Sequence, residues 1–182
     1  MTNDFKPPTG LKKLSVSSLL AVKNQAPELE VYVDASACMR GRGRHTWGGI
    51  GIVSTLNKAV IDISFKARQG VPTSTHGEIM AILEAAEKCG GKKVIIYTDS
   101  YYAVLMIDSV INNNELPEKF RKIYERSELL WQTVRKIADI LETHRCLIIR
   151  WDAAIQANEF HEMAHQAAYY ARTDMLKRLT NY

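Results

Sequence analysis

Several common protein classes are excluded by what this sequence does not contain. No apolar run approaches the roughly 20 residues of a membrane-spanning helix. The N-terminus lacks a charged-then-apolar stretch ending in a small-residue cleavage site, so the expected setting is the cytoplasm, away from membranes. Cysteine is scarce: Cys38, Cys89 and Cys146 are odd in number, far apart and outside any metal-ligand spacing. That argues against a disulfide framework and for reduced structural thiols. No internal repeat is visible. Nor is there a large excess of one charge, since the net charge is +4 and the pI near 8.9, too mild to name a partner.

What is present suits one globular domain with a sizeable core: 182 residues, 46% hydrophobic and 24% charged, expected as a monomer. The distribution of charge says more than its sum. Arg40, Arg42 and Arg44 alternate with glycines, and Lys119, Arg121, Lys122 and Arg126 form a second basic group, both suited to phosphate contacts. Residues 1–28 read as a partly disordered appendage. Met1–Gly10 is polar with Pro7 and Pro8 adjacent, Leu14, Leu19, Leu20 and Val22 allow a short helix, and Pro27 separates the segment from the first strand-like run. The domain proper is expected over 29–182.

Its elements follow from the patterning. Glu30–Val33 is a β-rich run ending at Asp34, Gly48–Ser54 a second strand, and Ala59–Ala67 a third, paired back through a turn at Asn57-Lys58. Ile79, Ile82, Leu83 and Ala86 repeat at helical spacing within Thr75–Cys89, and Gly90-Gly91 stops that helix. Val94–Tyr97 is a continuous apolar run, as in a strand buried on both faces, and it ends at Asp99. Helices over 101–110, 127–143 and 158–179 and a strand over 146–150 complete an α/β fold: a mixed five-stranded sheet flanked by helices.

Three carboxylates fall where chemistry is usually sited. Asp34 ends the first strand, Asp99 ends the central one, and Glu78 lies in the first turn of the first helix. Open α/β sheets bind ligands beyond the carboxyl ends of their strands. Singly, each has an ordinary structural reading as a turn, cap or dipole-complementing residue. Gathered together they would repel unless cations neutralise them, and an all-oxygen site suits Mg²⁺ or Mn²⁺.

Around these residues the sequence resembles ribonuclease H type I. The match runs through Val31–Ser36, Gly48-Gly49, Gly77–Ala81, Tyr97–Ser100, Leu130–Gln132, Arg150-Trp151 and His161–Ala164, in order, from about residue 29 to 170. The resemblance implies hydrolysis of the RNA strand of RNA–DNA hybrids, leaving a 3′-hydroxyl and a 5′-phosphate. It implies two Mg²⁺ or Mn²⁺ ions, with Asp34 bridging both and Glu78 and Asp99 completing the first site. One ion would generate the nucleophilic hydroxide and the other stabilise the leaving oxygen. Thr73 falls where the family holds a phosphate, and Ser36, Ser74, Thr75, Ser100 and Tyr101 fall at substrate-contacting places, beside phosphate contacts from Arg40, Arg42 and Arg44.

The fourth family carboxylate is replaced by His161. A neutral imidazole there is expected to hold the second metal, to shift preference toward Mn²⁺, and to weaken activity below pH ~6.5, where an ordinary imidazole protonates. The Trp151-to-His161 loop is short and lacks the Gly-His element many members use in product release. Ser74-Thr75 and Tyr101 replace the amide side chains that usually read the RNA 2′-hydroxyl, although hydroxyls can still bond it.

Three rival readings are weaker. His161–His165 spells H-E-x-x-H, but no further glutamate follows Glu162 to complete a zinc peptidase site, the only later acid being Asp174. A nucleic-acid-binding module without catalysis has no need to gather Asp34, Glu78 and Asp99 against a phosphate backbone. A DNA-directed resolvase or integrase core fits the Ser100–Tyr102 and Trp131 segments less well. Of the tryptophans, Trp131 and Trp151 are expected in or near the core, and Trp47 as a nucleic-acid contact.

Overall fold

Leu29–Ala37 (β1) sends alternate side chains to two packed faces, and the other elements are arranged around it. The computed structural model describes residues 29–37, 47–89, 93–112, 121, 127–144 and 146–180. The appendage 1–28, the arginines 40, 42 and 44, and most of the second basic group lie outside the described residues. After β1 come β2 (Trp47–Leu56), β3 (Ala59–Gln69), α1 (Ser74–Lys88), β4 (Val94–Thr98), α2 (Tyr101–Ile111), α3 (Glu128–Thr143), β5 (Leu147–Trp151), a 3-10 turn (Ala153–Ala157) and α4 (Glu159–Thr180).

The strands form one five-stranded sheet in the order β3-β2-β1-β4-β5. β1, β2 and β3 pair antiparallel, while β1–β4 and β4–β5 are parallel. This is the mixed sheet the patterning predicts. The β2–β3 hairpin turns at Asn57 and Lys58, whose φ values of 50° and 62° suit a two-residue turn matched to strand twist.

Val31, Val33 and Ala35 point to one face, where they pack with Ile79 and Ile82 of α1, Ile107 of α2 and Ile137 of α3. Tyr32 points to the other, with Val53, Ile155, Phe160 and Ala164; its ring stacks on Tyr97 at 5.1 Å. α4 lies directly on that second face. It can do so because β2 carries Gly49 and Gly51 beneath it: a Cβ on Gly51 would sit 2.0 Å from the Ala164 carbonyl oxygen, and one on Gly49 1.9 Å from that of Ala168. Trp131 and Trp151 pack against the core from partly buried positions, and Trp47 opens β2 half-buried. No helix among the described residues is long and apolar enough to cross a membrane. Cys89 is buried and Cys146 exposed.

Candidate active site

The sheet opens at the place where β1 and β4 part. Their parallel pairing ends at Tyr32 with Tyr97, whereas β1 stays paired to β2 as far as Ala37 with Gly48. Asp34 therefore lies within β1 rather than at its end, opposite Gly51, on the face that carries α4. Asp99 follows the last residue of β4. Both strands thus deliver a carboxylate to the same gap, two residues beyond their last mutual pair. Asp34 is buried, its Oδ1 accepting the Ala35 N–H at 2.7 Å. Asp99 is held from below, its carbonyl accepting from Trp151 Nε1 at 3.1 Å and its Oδ2 from Gln156 Nε2 at 3.1 Å.

Glu78 reaches the gap from α1. It stands beyond the first turn, one step later than the sequence suggests, because Thr73 takes the N-cap by accepting the His76 N–H. Its Oε1 accepts the Ala35 N–H at 2.7 Å and its Oε2 the Thr98 hydroxyl at 3.1 Å. Burial pushes the Glu78 pKa well above the usual carboxylate range. The hydrogen bond with Asp34 and the charges of Asp34 and Asp99 push it further, against a smaller opposing pull from the Ala35 N–H.

His161 enters from α4, with Asn158 bonding the free N–H groups of the first turn at Phe160 (2.9 Å) and His161 (3.3 Å). Its imidazole is buried, and Nε2 has no hydrogen-bond partner but lies 3.9 Å from Asp99 Oδ1. One donor atom from each of Asp34, Asp99 and His161 falls within 4.8 Å of the other two. A buried nitrogen without a partner beside crowded carboxylates is costly unless a cation joins them. The donor set fits a divalent ion of the Mg²⁺–Mn²⁺ type, with carboxylate oxygens in the majority and one imidazole.

A family model described as RNase H matches residues 26–170. The chain belongs to the RNase H family. Solved RNase H structures share its fold at low identity. Against the RNase H domain of prototype foamy virus the TM-score is 0.64 at 19% identity, over 82% of this chain and 96% of that one. Against RNase H1 from the archaeon Halobacterium salinarum it is 0.56 at 15% identity, over 80% and 98%. A foamy viral protease–reverse transcriptase solved with an RNA/DNA hybrid gives 0.62 at 20% identity, over 94% of this chain; the chain spans 22% of that protein. No protein with a curated description matches.

Among the described residues of this RNase H-family chain, the remaining expected contacts lie on β1 and at the starts of α1 and α2. Ser36 lies two residues beyond Asp34 on the same face of β1, opposite Gly49. Ser74 and Thr75 open α1, the first exposed and the second half-buried. The Thr73 hydroxyl is engaged by its own helix, 2.8 Å from His76 Nδ1. Ser100 caps α2 by accepting the Ala103 N–H, and Tyr101 packs edge-on to Trp151 at 5.3 Å. Three contributors are not apparent from sequence. Gln156 sits in a 3-10 turn without periodic signal, Asn158 is marked only as the expected start of the last helix, and His165 stands out only as part of the zinc motif. That motif is not assembled as a peptidase would need it: Glu162 is exposed and accepts from Gln166 Nε2 at 3.0 Å, while the histidines face Asp99 and Asp34.

The raised Glu78 pKa has a measurable consequence. The folded chain holds this proton more tightly than the unfolded chain, so folding is favoured below the ordinary glutamate value of 4.5 and loses that contribution as pH rises toward the folded value. Without divalent ions, the unfolding temperature of the wild type should therefore fall with rising pH more steeply than that of Glu78→Gln. At slightly alkaline pH the variant should have the higher unfolding temperature. Thermal unfolding in chelator across pH 4–9 checks this; parallel curves would refute it.

Proposed function

We infer that this chain is a divalent-metal-dependent endonuclease that hydrolyses the RNA strand of RNA–DNA hybrids, leaving a 3′-hydroxyl and a 5′-phosphate, with two ions at the gap between β1 and β4. The convergence of Asp34, Asp99 and the unpartnered His161 nitrogen, with Glu78 buried beside them, carries this reading. Membership of the RNase H family supports it, as does the foamy viral relative solved with an RNA/DNA hybrid.

Asp34, Glu78 and Asp99 would hold the first ion, and Asp34 with His161 the second. Two divalent ions, when bound, supply Lewis acidity to the attacking water and to the leaving oxygen. The chain's own contribution is preorganisation. Ala35 and Thr98 fix both oxygens of Glu78, Gln156 and Trp151 fix Asp99, and Asn158 fixes the turn that presents His161. Arg40, Arg42 and Arg44 are assigned to the phosphate backbone, and Ser74, Thr75 and Tyr101 to the sugar edges.

One gel tests the function. Labelled RNA–DNA hybrid, duplex RNA and duplex DNA are incubated with the protein and Mg²⁺ or Mn²⁺. Cleavage of the hybrid's RNA strand alone, blocked by chelator, is expected; cleavage of duplex DNA, or of nothing, contradicts the reading. The histidine carries a separate expectation. Because imidazole is softer than carboxylate, His161→Asp should move the preference from Mn²⁺ toward Mg²⁺, and His161→Ala should lower turnover about 10–100-fold. Wild-type turnover of His161→Ala in both metals would remove its role.

A further inference from the structure

The two histidines of the H-E-x-x-H segment have a common target that zinc chemistry does not explain. His161 and His165 are one turn apart on α4, about 6 Å along its axis. Asp34 stands in β1 and Asp99 just past the end of the neighbouring β4, at the gap where the two strands part. Each imidazole meets one of these carboxylates. His161 faces Asp99, and His165 Nδ1 lies 2.5 Å from Asp34 Oδ2.

Asp34 is almost enclosed, its side chain 8% exposed, whereas the His165 side chain is 54% exposed. With Asp34 ionised, its oxygens only accept, so Nδ1 of His165 carries the shared hydrogen. Asp34 is then held at both ends, through Oδ1 by the Ala35 N–H and through Oδ2 by His165. Each carboxylate oxygen offers two acceptor directions, so these bonds still leave room for a cation. The core gains little from His165, whose side chain is largely exposed. Its contact serves the carboxylate.

We propose that His165 is a positioning residue for the cation centre: its Nδ1–H fixes the rotation of the Asp34 carboxylate, so that Asp34, Asp99 and His161 present their donor atoms to a divalent cation together. This rests on the cation centre of the proposed nuclease. Groups that orient metal-ligating side chains typically contribute 10–100-fold to metal affinity.

The test is a calorimetric Mn²⁺ titration of the full chain as wild type, His165→Ala, His165→Asn, His165→Gln and Asp34→Asn. His165→Ala should weaken Mn²⁺ binding about 10–100-fold. His165→Asn places an amide N–H where Nδ1 stood and should recover most of the loss; His165→Gln, whose amide reaches the place of Nε2, should not. Wild-type affinity in His165→Ala, or equal affinities in the Asn and Gln variants, overturns the proposal. The Asn–Gln comparison stands even if the alanine variant folds poorly. If Asp34→Asn also keeps wild-type affinity, the cation centre itself fails and His165 with it. If Asp34→Asn loses the ion and His165→Ala does not, only the role of His165 is lost.

Discussion

Asp99→Asn is expected to lower the rate of hybrid cleavage by at least about a hundredfold while leaving the fold intact. The substitution preserves shape and keeps the backbone bond from Trp151 Nε1 to the Asp99 carbonyl. What it removes is one negative charge and one cation-binding oxygen at the point where Asp34 and His161 also converge. Asp99 is also one of the charges that push the Glu78 pKa upward, so the metal-free variant should unfold at the same temperature as the wild type or higher. Activity and stability should therefore separate. A variant that cleaves the hybrid within about threefold of wild type would mean that Asp99 does not hold the reacting centre. A variant that loses activity together with its cooperative unfolding would mean that Asp99 is structural.

The second large effect lies under α4 rather than at the gap. Gly51→Ala would place a methyl group 2.0 Å from the Ala164 carbonyl oxygen and 2.7 Å from the Ala168 nitrogen. Both are backbone atoms within a helix, so no side chain can rotate out of the way, and α4 must move as a body. Forced overpacking of this kind costs about 3 kcal/mol or more, a fall of roughly 6–12 °C in unfolding temperature for a chain of this size. Because α4 also carries His161, the surviving folded fraction should be impaired in cleavage. Gly49→Ala should act in the same way against Ala168 and Arg172. An unfolding temperature within about 2 °C of wild type for Gly51→Ala would show that α4 is not seated as described.

Much of this arrangement is legible in the sequence, for identifiable reasons. Val94–Tyr97 reads as a central strand because it is apolar on both faces, and Asp99 stands out as the first charge beyond it. Other features depend on contacts between distant residues. Asp34 reads as a strand end, but β2 keeps β1 paired for three residues more, to Ala37. Glu78 reads as a first-turn residue, but the Thr73 hydroxyl starts the helix earlier. The turn at Ala153–Ala157 has no periodic signal, and Asp152 specifies it by accepting the Ala154 N–H. Gly49 and Gly51 acquire meaning only when Ala164 and Ala168 are laid over them. The spacing of His161 and His165 is visible in the sequence, but a four-residue interval does not say which carboxylates the two imidazoles meet. The pairing of β1 with β4 brings Asp34 and Asp99 to them.

The most direct measurement is anomalous diffraction from crystals of the full chain soaked in Mn²⁺. Manganese peaks bounded by Asp34, Asp99 and His161, with Glu78 reaching the same cluster, are the predicted result. Saturating Mn²⁺ that leaves no anomalous density between β1 and β4, or that binds only elsewhere on the surface, would contradict the cation centre and the nuclease built on it.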